Sequence, residues 1–330
     1  MITAQTRIAD IQADPVMGRL VPTFVVSPKV PRFTPEQRIC EIKKPDSPWG
    51  TDELLYGLHR MEALTARGVQ MLYSVYPEEE CREDPTKAGV TMLYFPADTP
   101  DPDGRFIILC SGGAYMRVCN LWEAFPVAAR FNELGYTVFC VNYRTDIMGL
   151  FPRPMDDLAA AYRLIAANAE AFGVDPANYA VGGFSAGGHL SAAWGMEDIG
   201  ARHYGLPMPK LLILVYAFMR LRWTAEMMKG GDDIVTRIML GEHYTQEDIL
   251  RYDVESHVDA AYPPCYLVQA ADDEQVHISN SDRMAELLAE KGIPYRYDRA
   301  PSGRHGFGLG ESIAAKGWVE KCAAFMKTIE

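Results

Sequence analysis

Ser185 lies at the centre of the segment Gly183-Phe184-Ser185-Ala186-Gly187, which follows the strand-like residues NYAVGG. Glycine weakens the interior of helices and strands, so two glycines around one serine indicate a sharp turn or a close approach of two backbones. A G-x-S-x-G sequence between a strand and a helix holds the serine hydroxyl exposed at the end of the strand. The pattern therefore predicts that Ser185 is a nucleophile.

A serine hydroxyl reacts slowly unless a base takes its proton, and in proteins that base is most often a histidine. His305 lies in the segment SGRHGFG, directly after the strand-like run YRYDRA. The carboxyl ends of parallel strands meet at one edge of a sheet, so His305 and Ser185 can converge there. We predict that His305 is the base. His189, four residues after Ser185, is interpreted as a packed and hydrogen-bonded helix residue.

The histidine needs a carboxylate to orient it, and three candidates follow the strand-like run CYLVQA. They are Asp272, Asp273 and Glu274, in the segment ADDEQV. Asp273 precedes Val276 by three residues, and we expect the next helix to begin at Val276. This spacing favours Asp273, while Asp272 and, less well, Glu274 stay open as alternatives.

The attack of Ser185 on a carbonyl group would produce an oxyanion, which needs hydrogen-bond donors. Ser111-Gly112-Gly113-Ala114-Tyr115 follows the strand-like run RFIILC, where backbone N–H groups can face the serine turn. We predict that the backbone N–H groups of Gly113, Ala114 and Ala186 form the oxyanion hole. The alternative is a glycine-rich turn that binds nothing.

Eight short strand-like runs alternate with helical stretches from residue 69 onward. Alternation of this kind predicts an α/β fold with parallel strands joined by helical crossovers. The first two runs are separated by a charged loop that contains proline, so they can pair as a hairpin. We predict a mostly parallel eight-stranded sheet with helices on both faces. The runs are VQMLYSVY, VTMLYFPA, RFIILC, YTVFCVNY, NYAVGG, KLLILVYA, CYLVQA and YRYDRA.

Two regions fall outside this alternation. Residues 1–68 are rich in proline and contain one predicted helix, with Thr51 as its N-cap and Gly68 as its stop, and we interpret them as an appendage or cap on the body formed by residues 69–330. Residues 218–260, approximately, form a long helical insertion at the carboxyl end of a central strand. This position suits a lid over a ligand. The alternative is that the insertion only covers apolar surface of the body.

Composition narrows the classes of partner. The chain has 32 basic and 44 acidic residues, a formal net charge of -12, which disfavours nucleic acid. Its first residues lack an export signal, and its longest apolar run, LLILVYAFM, is too short to span a membrane. The seven cysteines show no metal-binding spacing. We expect a soluble, cytoplasmic protein with reduced cysteines and no metal, whose oligomeric state, a homodimer included, stays open.

From about residue 70 to its end, the chain resembles the α/β-hydrolase superfamily, in particular the esterase/lipase group related to hormone-sensitive lipases and to bacterial acetyl-xylan and feruloyl esterases. The resemblance lies in GFSAGGHL, the NYR at residues 142–144, FPRPMDDLAAAYRLIAANAEAFGVDP, ADDEQV and SGRHGFG. It implies a serine carboxylic-ester hydrolase that needs no cofactor. Arg144 and Asp157, in two of these motifs, are expected to pair as scaffold beneath the site.

The chain departs from that group at the oxyanion loop. The group usually has His-Gly-Gly-Gly or Pro-Gly-Gly-Gly there, whereas this chain has Ser111-Gly112-Gly113-Ala114. The backbone donors remain, while the methyl group of Ala114 narrows the site. A narrow site favours small or short-acyl esters, and the resemblance implies acetylated carbohydrates or plant-derived esters among them.

Apolar residues near the predicted site could bind the substrate, since Met and aromatic side chains form adaptable pockets. The same residues could equally be ordinary core. Two other functions stay open for the same residues: a serine peptidase of the same fold, and a ligand-binding receptor without catalysis. The predicted pocket residues are Tyr115, Met116, Trp122, Phe218 and Trp223, with Met219, Met227 and Met228 beside them.

Overall fold

The computed structural model describes residues 1–27, 33–43, 47–145, 147–222 and 234–329 of the chain. Its centre is one eight-stranded sheet in the order β1-β2-β4-β3-β5-β6-β7-β8. β1 and β2 pair antiparallel, as do β2 and β4, and all other neighbours are parallel. This confirms the predicted α/β fold class and the predicted hairpin. The strands are β1 (Leu72–Ser74), β2 (Thr91–Phe95), β3 (Phe106–Cys110), β4 (Thr137–Asn142), β5 (Tyr179–Phe184), β6 (Leu211–Val215), β7 (Cys265–Ala270) and β8 (Tyr295–Ala300).

Successive side chains of a strand point to opposite faces of the sheet, so a strand that is apolar throughout needs cover on both faces. Helices provide this cover on both faces of the sheet. In β6, Leu212 and Leu214 belong to one apolar core, while Leu211 and Ile213 belong to the other. The helices of the described ranges are α1 (Ile8–Gln12), α2 (Ile39–Ile42), α3 (Thr51–Ala66), α4 (Glu78–Glu83), α5 (Ala124–Glu133), α6 (Arg153–Ala167), α7 (Ala169–Phe172), α8 (Ser185–Trp194), α9 (Ile234–Leu240), α10 (Gln246–Tyr252), α11 (Ser279–Glu290) and α12 (Trp318–Met326).

The N-terminal residues share a core with the sheet. Leu54 and Leu58 of α3 are fully buried in the same cluster as β3 and α5. α3 begins at Thr51, but its N-cap is Gly50, whose N–H donates to the Glu53 carboxylate at 3.3 Å. Thr51 is therefore the first helical residue instead of the predicted cap. A cap role for residues 1–68 stays a prediction.

The motif FPRPMDDLAAAYRLIAANAEAFGVDP contains two helices, α6 and α7. Asn168 separates them, and its side-chain amide donates to the Leu164 carbonyl, a competing hydrogen bond that is typical of asparagine. Asp157 is buried within α6. There Asp157 pairs with Arg144, Oδ1 to Nη2 at 2.8 Å, in agreement with the expected scaffold pair.

The insertion after β6 is described in part, as α9, α10 and a 3-10 helix at Val254–His257. Met239 of α9 is fully buried, and its carbonyl accepts a hydrogen bond from the N–H of Phe151 at 3.0 Å. The described part of the insertion thus packs against the core through its buried residues. Its role as a lid stays a prediction. Trp223, Met227 and Met228 lie outside the described ranges.

No helix in the described part of the chain has both the length and the hydrophobicity that crossing a bilayer requires.

Candidate active site

The serine turn joins β5 directly to α8, and Ser185 is the first residue of the helix, with a φ of 52°. The glycines around it allow two backbones to approach closely. A Cβ on Gly183 would lie 2.1 Å from the Gly187 carbonyl oxygen, and a Cβ on Gly187 would lie 2.1 Å from the carbonyl oxygen of Cys110 in β3. Both positions therefore require glycine, which explains the glycine density around Ser185.

The structure brings Ser185, His305 and Asp273 together. The Oγ atom of Ser185 lies 2.9 Å from Nε2 of His305, and Nδ1 of His305 lies 2.8 Å from Oδ2 of Asp273. The Asp273 side chain is fully buried and that of His305 is 9% exposed. With Nδ1–H donated to the carboxylate, Nε2 is left to accept the serine proton.

The three adjacent carboxylates have different partners. Oδ1 of Asp273 accepts the backbone N–H groups of Gln275 and Val276 at 3.0 and 2.9 Å, which leaves Oδ2 for His305. Asp272 points elsewhere and accepts the N–H groups of Gly303 and Arg304, both at 2.8 Å. Asp272 thus holds the loop that carries His305.

Glu274, the third carboxylate, is a surface residue, 82% exposed and 3.9 Å from Arg304. The next helix begins at Ser279 and not at Val276. The spacing that favoured Asp273 was therefore misread, because residues 271–278 form an irregular loop. Asp273 is nevertheless the carboxylate that faces His305.

The predicted oxyanion loop packs against the serine turn. A Cβ on Gly112 would lie 2.8 Å from the Cβ of Ser185, so only glycine permits this approach. In the described residues, the N–H groups of Gly113 and Ala114 donate to no protein acceptor. The N–H of Ala186, in the first turn of α8, has no acceptor within its helix. These three donors are available for a ligand oxygen.

Backbone strain in the described chain concentrates around Ser185. Every non-glycine residue there with a positive φ lies in a loop at the site, directly after a strand, or at the start of α8. Such conformations are costly for residues with a Cβ and persist where surrounding contacts enforce them. These residues are Ala114, Tyr115, Ser185, Tyr216 and Arg304.

His189 supports the oxyanion loop from below. Its Nε2 lies 2.8 Å from the Tyr252 carbonyl, to which it must donate, so Nδ1 accepts the hydroxyl of Tyr115 at 2.8 Å. This agrees with its predicted packed and hydrogen-bonded place. Burial lowers the pKa of His189 to about 4, so the ring is neutral at pH 7.

We expect His189 to make the fold sensitive to acid. In the unfolded chain, the histidine binds a proton as the pH falls below its ordinary pKa near 6.5. In the folded protein, it stays neutral until the pH approaches about 4. Stability is therefore full above pH 6.5 and is lost as the pH falls towards 4, by roughly 3 kcal/mol. In urea titrations between pH 7 and 4.5, His189→Gln should show a weaker pH dependence than wild type. The matched variant His203→Gln, at an exposed histidine, should retain the wild-type dependence.

Several predicted pocket residues are core instead. Tyr115 is fully buried, because the positive φ values at Ala114 and Tyr115 turn its side chain towards α8 and His189. Trp122 is buried, and its ring stacks on Trp49 with centroids 5.0 Å apart. The burial of Tyr115 argues against a substrate contact there, and Trp122 contacts Trp49; substrate contact by either residue stays a prediction.

The other predicted pocket residues occupy mixed positions. Phe218 is 9% exposed, and its N–H donates to the carbonyl of Ser185 at 3.1 Å. Met219 is buried, and Met116 is half-buried against the core. The positions of Phe218 and Met116 leave a substrate contact as a prediction.

A cavity of about 230 Å³ opens beside His305. Sequence reasoning missed Trp49 there, because residues 1–68 show no pattern that ties them to the site. Among the described residues, no cluster of His, Cys, Asp and Glu side chains is suited to hold a metal ion. The lining residues of the cavity are Ser47, Pro48, Trp49, Glu274, Gln275, Arg304 and His305.

Comparison with known proteins identifies relatives of the chain. An endo-1,4-beta-xylanase B of Butyrivibrio fibrisolvens is 26% identical over 74% of this chain and 39% of its own length. An acetylxylan esterase of Xylanibacter ruminicola is 28% identical over 64% of this chain and 42% of its own length. The chain thus spans about two fifths of the length of these curated relatives.

Solved structures show the same fold. The crystal structure of an acetyl ester-xyloside bifunctional hydrolase from Caldicellulosiruptor lactoaceticus superimposes with a TM-score of 0.61 at 26% identity, over 72% of this chain and 88% of that one. A family model described as "alpha/beta hydrolase fold" matches residues 110–309. This match covers more than half of the chain and includes Ser185, Asp273 and His305. The chain therefore belongs to the α/β-hydrolase fold family.

Proposed function

We propose that the protein is a serine carboxylic-ester hydrolase that acts on small, short-acyl esters. The observation that supports this most directly is the continuous relay from Ser185 Oγ to His305 Nε2 at 2.9 Å and from His305 Nδ1 to Asp273 Oδ2 at 2.8 Å. Beside it lie backbone donors that no acceptor of the described residues occupies.

The chemistry follows from this geometry. The oxygen of Ser185 attacks the ester carbonyl carbon while His305 takes its proton, and the carbonyl oxygen becomes an oxyanion bound by the N–H groups of Gly113, Ala114 and Ala186. Collapse of this intermediate breaks the ester C–O bond, and His305 returns the proton to the leaving alcohol. Water then attacks the acyl-serine with the same assistance. This second step releases a carboxylic acid and restores Ser185.

Acetylated carbohydrates are the substrates that we favour. One relative is named an acetylxylan esterase and one structural relative an acetyl ester-xyloside hydrolase. The cavity beside His305 suits a sugar, because the half-buried indole of Trp49 offers an apolar face to the ring C–H groups while Gln275 and Arg304 offer polar groups to hydroxyls. The methyl group of Ala114, which narrows the oxyanion loop, favours a short acyl chain.

A comparison of substrates tests the proposal. We expect p-nitrophenyl acetate to be cleaved with a kcat/KM about 10-fold or more above that of the octanoate, because the narrow site rejects added methylenes. Acetylated xylo-oligosaccharides should release acetate, and a fluorophosphonate should label Ser185. Cleavage of aminoacyl anilides without cleavage of simple esters would indicate a peptidase instead. Absence of labelling would indicate a non-catalytic protein.

A further inference from the structure

The carboxyl group of Glu123 is buried next to the oxyanion loop, and the chemistry described above does not use it. Glu123 immediately precedes α5 and is 3% exposed. Its Oε2 accepts the N–H of Gly112 at 2.6 Å, and its Oε1 accepts the hydroxyl of Tyr216 at 3.1 Å. A carboxyl group buried in this way is tolerated only if hydrogen bonds compensate for lost water. Here the compensating hydrogen bonds come from Gly112 of the oxyanion loop and from Tyr216.

Tyr216 extends the contact to the histidine loop. It follows β6 directly with a φ of 37°, and its hydroxyl oxygen accepts the N–H of Gly308 at 3.1 Å. Its ring packs edge-on against the imidazole of His305, with centroids 4.9 Å apart. The buried chain Gly112, Glu123, Tyr216 and Gly308 therefore links the loop with the oxyanion donors to the loop with the base.

We propose that Glu123 is a positioning residue for the reaction proposed above, on which this inference rests. It fixes Gly112 against Ser185 and so sets where the N–H groups of Gly113 and Ala114 point, and through Tyr216 it couples that position to the loop of His305. The strained backbone of the oxyanion loop favours such a tether, because Ala114 and Tyr115 both have positive φ values.

The charge of Glu123 is compatible with this role. A negative charge on Glu123, whose Oε2 contacts Gly112 of the oxyanion loop, would oppose the negative charge of the oxyanion. Burial raises the pKa of Glu123 to about 8, against the opposing effect of the hydrogen bonds from Gly112 and Tyr216. The group is therefore mostly neutral at pH 7, when it can tether Gly112 without this repulsion.

The test compares Glu123→Ala, Glu123→Gln and Tyr216→Phe with wild type. The readouts are kcat and KM for p-nitrophenyl acetate, and the affinity for phenylboronic acid, whose tetrahedral adduct with a serine places an oxygen in the oxyanion hole. Glu123→Ala should lower kcat about 10- to 100-fold, which is less than the loss expected when an oxyanion donor is removed altogether. The affinity for the boronate should fall by a similar factor, while KM changes little. Glutamine keeps an acceptor for Gly112, so Glu123→Gln should recover most of both losses. Tyr216→Phe should also lower both kcat and the affinity for the boronate, by a smaller factor.

Tyr266→Phe is the matched control, since Tyr266 is also buried and its hydroxyl also bonds a carboxyl group, Asp298, at 2.6 Å, away from the site. It should lower the melting temperature without lowering kcat or boronate affinity. An unchanged kcat in Glu123→Ala, or a loss of stability without a loss of boronate affinity, would overturn the proposal. If Glu123→Ala does not fold, an unchanged kcat and boronate affinity in Tyr216→Phe overturns it. An inactive wild type would refute the proposed function itself, whereas an active wild type with unaffected variants refutes only this inference.

Discussion

Replacing Ser185 with alanine should lower kcat for p-nitrophenyl acetate by on the order of 10⁶-fold. The substitution removes only the oxygen that lies 2.9 Å from His305 Nε2. Without it the backbone donors remain, but no acyl-enzyme can form, and water must attack the ester directly. Initial rates with purified protein, corrected for spontaneous hydrolysis, measure the loss.

The fold of this variant should be intact, because alanine keeps the Cβ that the φ of 52° already accommodates. Circular dichroism and thermal melting should therefore match wild type. Ser191→Ala is the matched control on the same helix, since its hydroxyl bonds the Gly187 carbonyl at 2.9 Å and not the histidine. It should retain a kcat of the wild-type order. A Ser185→Ala protein that hydrolyses the ester near the wild-type rate would refute the assignment of the nucleophile.

Replacing Asp273 with asparagine should lower kcat about 10⁴-fold. Asp273 accepts Nδ1–H of His305 at 2.8 Å, which leaves Nε2 free to accept the serine proton. An amide group at this place donates to Nδ1 instead, so the ring holds its proton on Nε2 and cannot act as a base. KM should change far less than kcat, because Asp273 is buried behind the histidine.

Asp272→Asn is the comparison that separates the two neighbouring carboxylates. Asp272 contacts the backbone of Gly303 and Arg304 through a single oxygen, and an asparagine oxygen can still accept both N–H groups. Its kcat should fall much less than that of Asp273→Asn. Equal losses in the two variants would show that the carboxylate assignment is wrong.

Local patterns predicted the parts of the site that depend on local geometry. Gly183 and Gly187 mark the turn at Ser185 because each permits a contact that any side chain would block. The position of His305 after a strand was readable for a similar reason: seven of the eight predicted strand runs contain the observed strand, and the run NYAVGG ends one residue before β5 does, at Phe184. Such features depend on only a few neighbouring residues, so they can be predicted from a single sequence.

Features that depend on distant contacts could not be predicted. Glu123 and Tyr216 are 93 residues apart, and neither lies in a motif that indicates a shared hydrogen bond. The helix boundary beyond Asp273 was misplaced because an irregular loop has no periodicity. Tyr115 was misplaced for a related reason, since side-chain directions inferred from sequence assume regular backbone, and φ there is 57°.

The five strained residues around Ser185 set a limit on how this protein can be improved. Each left-handed residue with a Cβ costs about 1 kcal/mol that glycine would not, so glycine there would relax the backbone. A laboratory screen that rewards only a higher melting temperature would therefore be drawn to Ser185 itself, to Ala114 in the oxyanion loop and to Arg304 next to His305. Under the proposed function, heat resistance gained in that way would come with lost turnover, so a useful screen has to select for both.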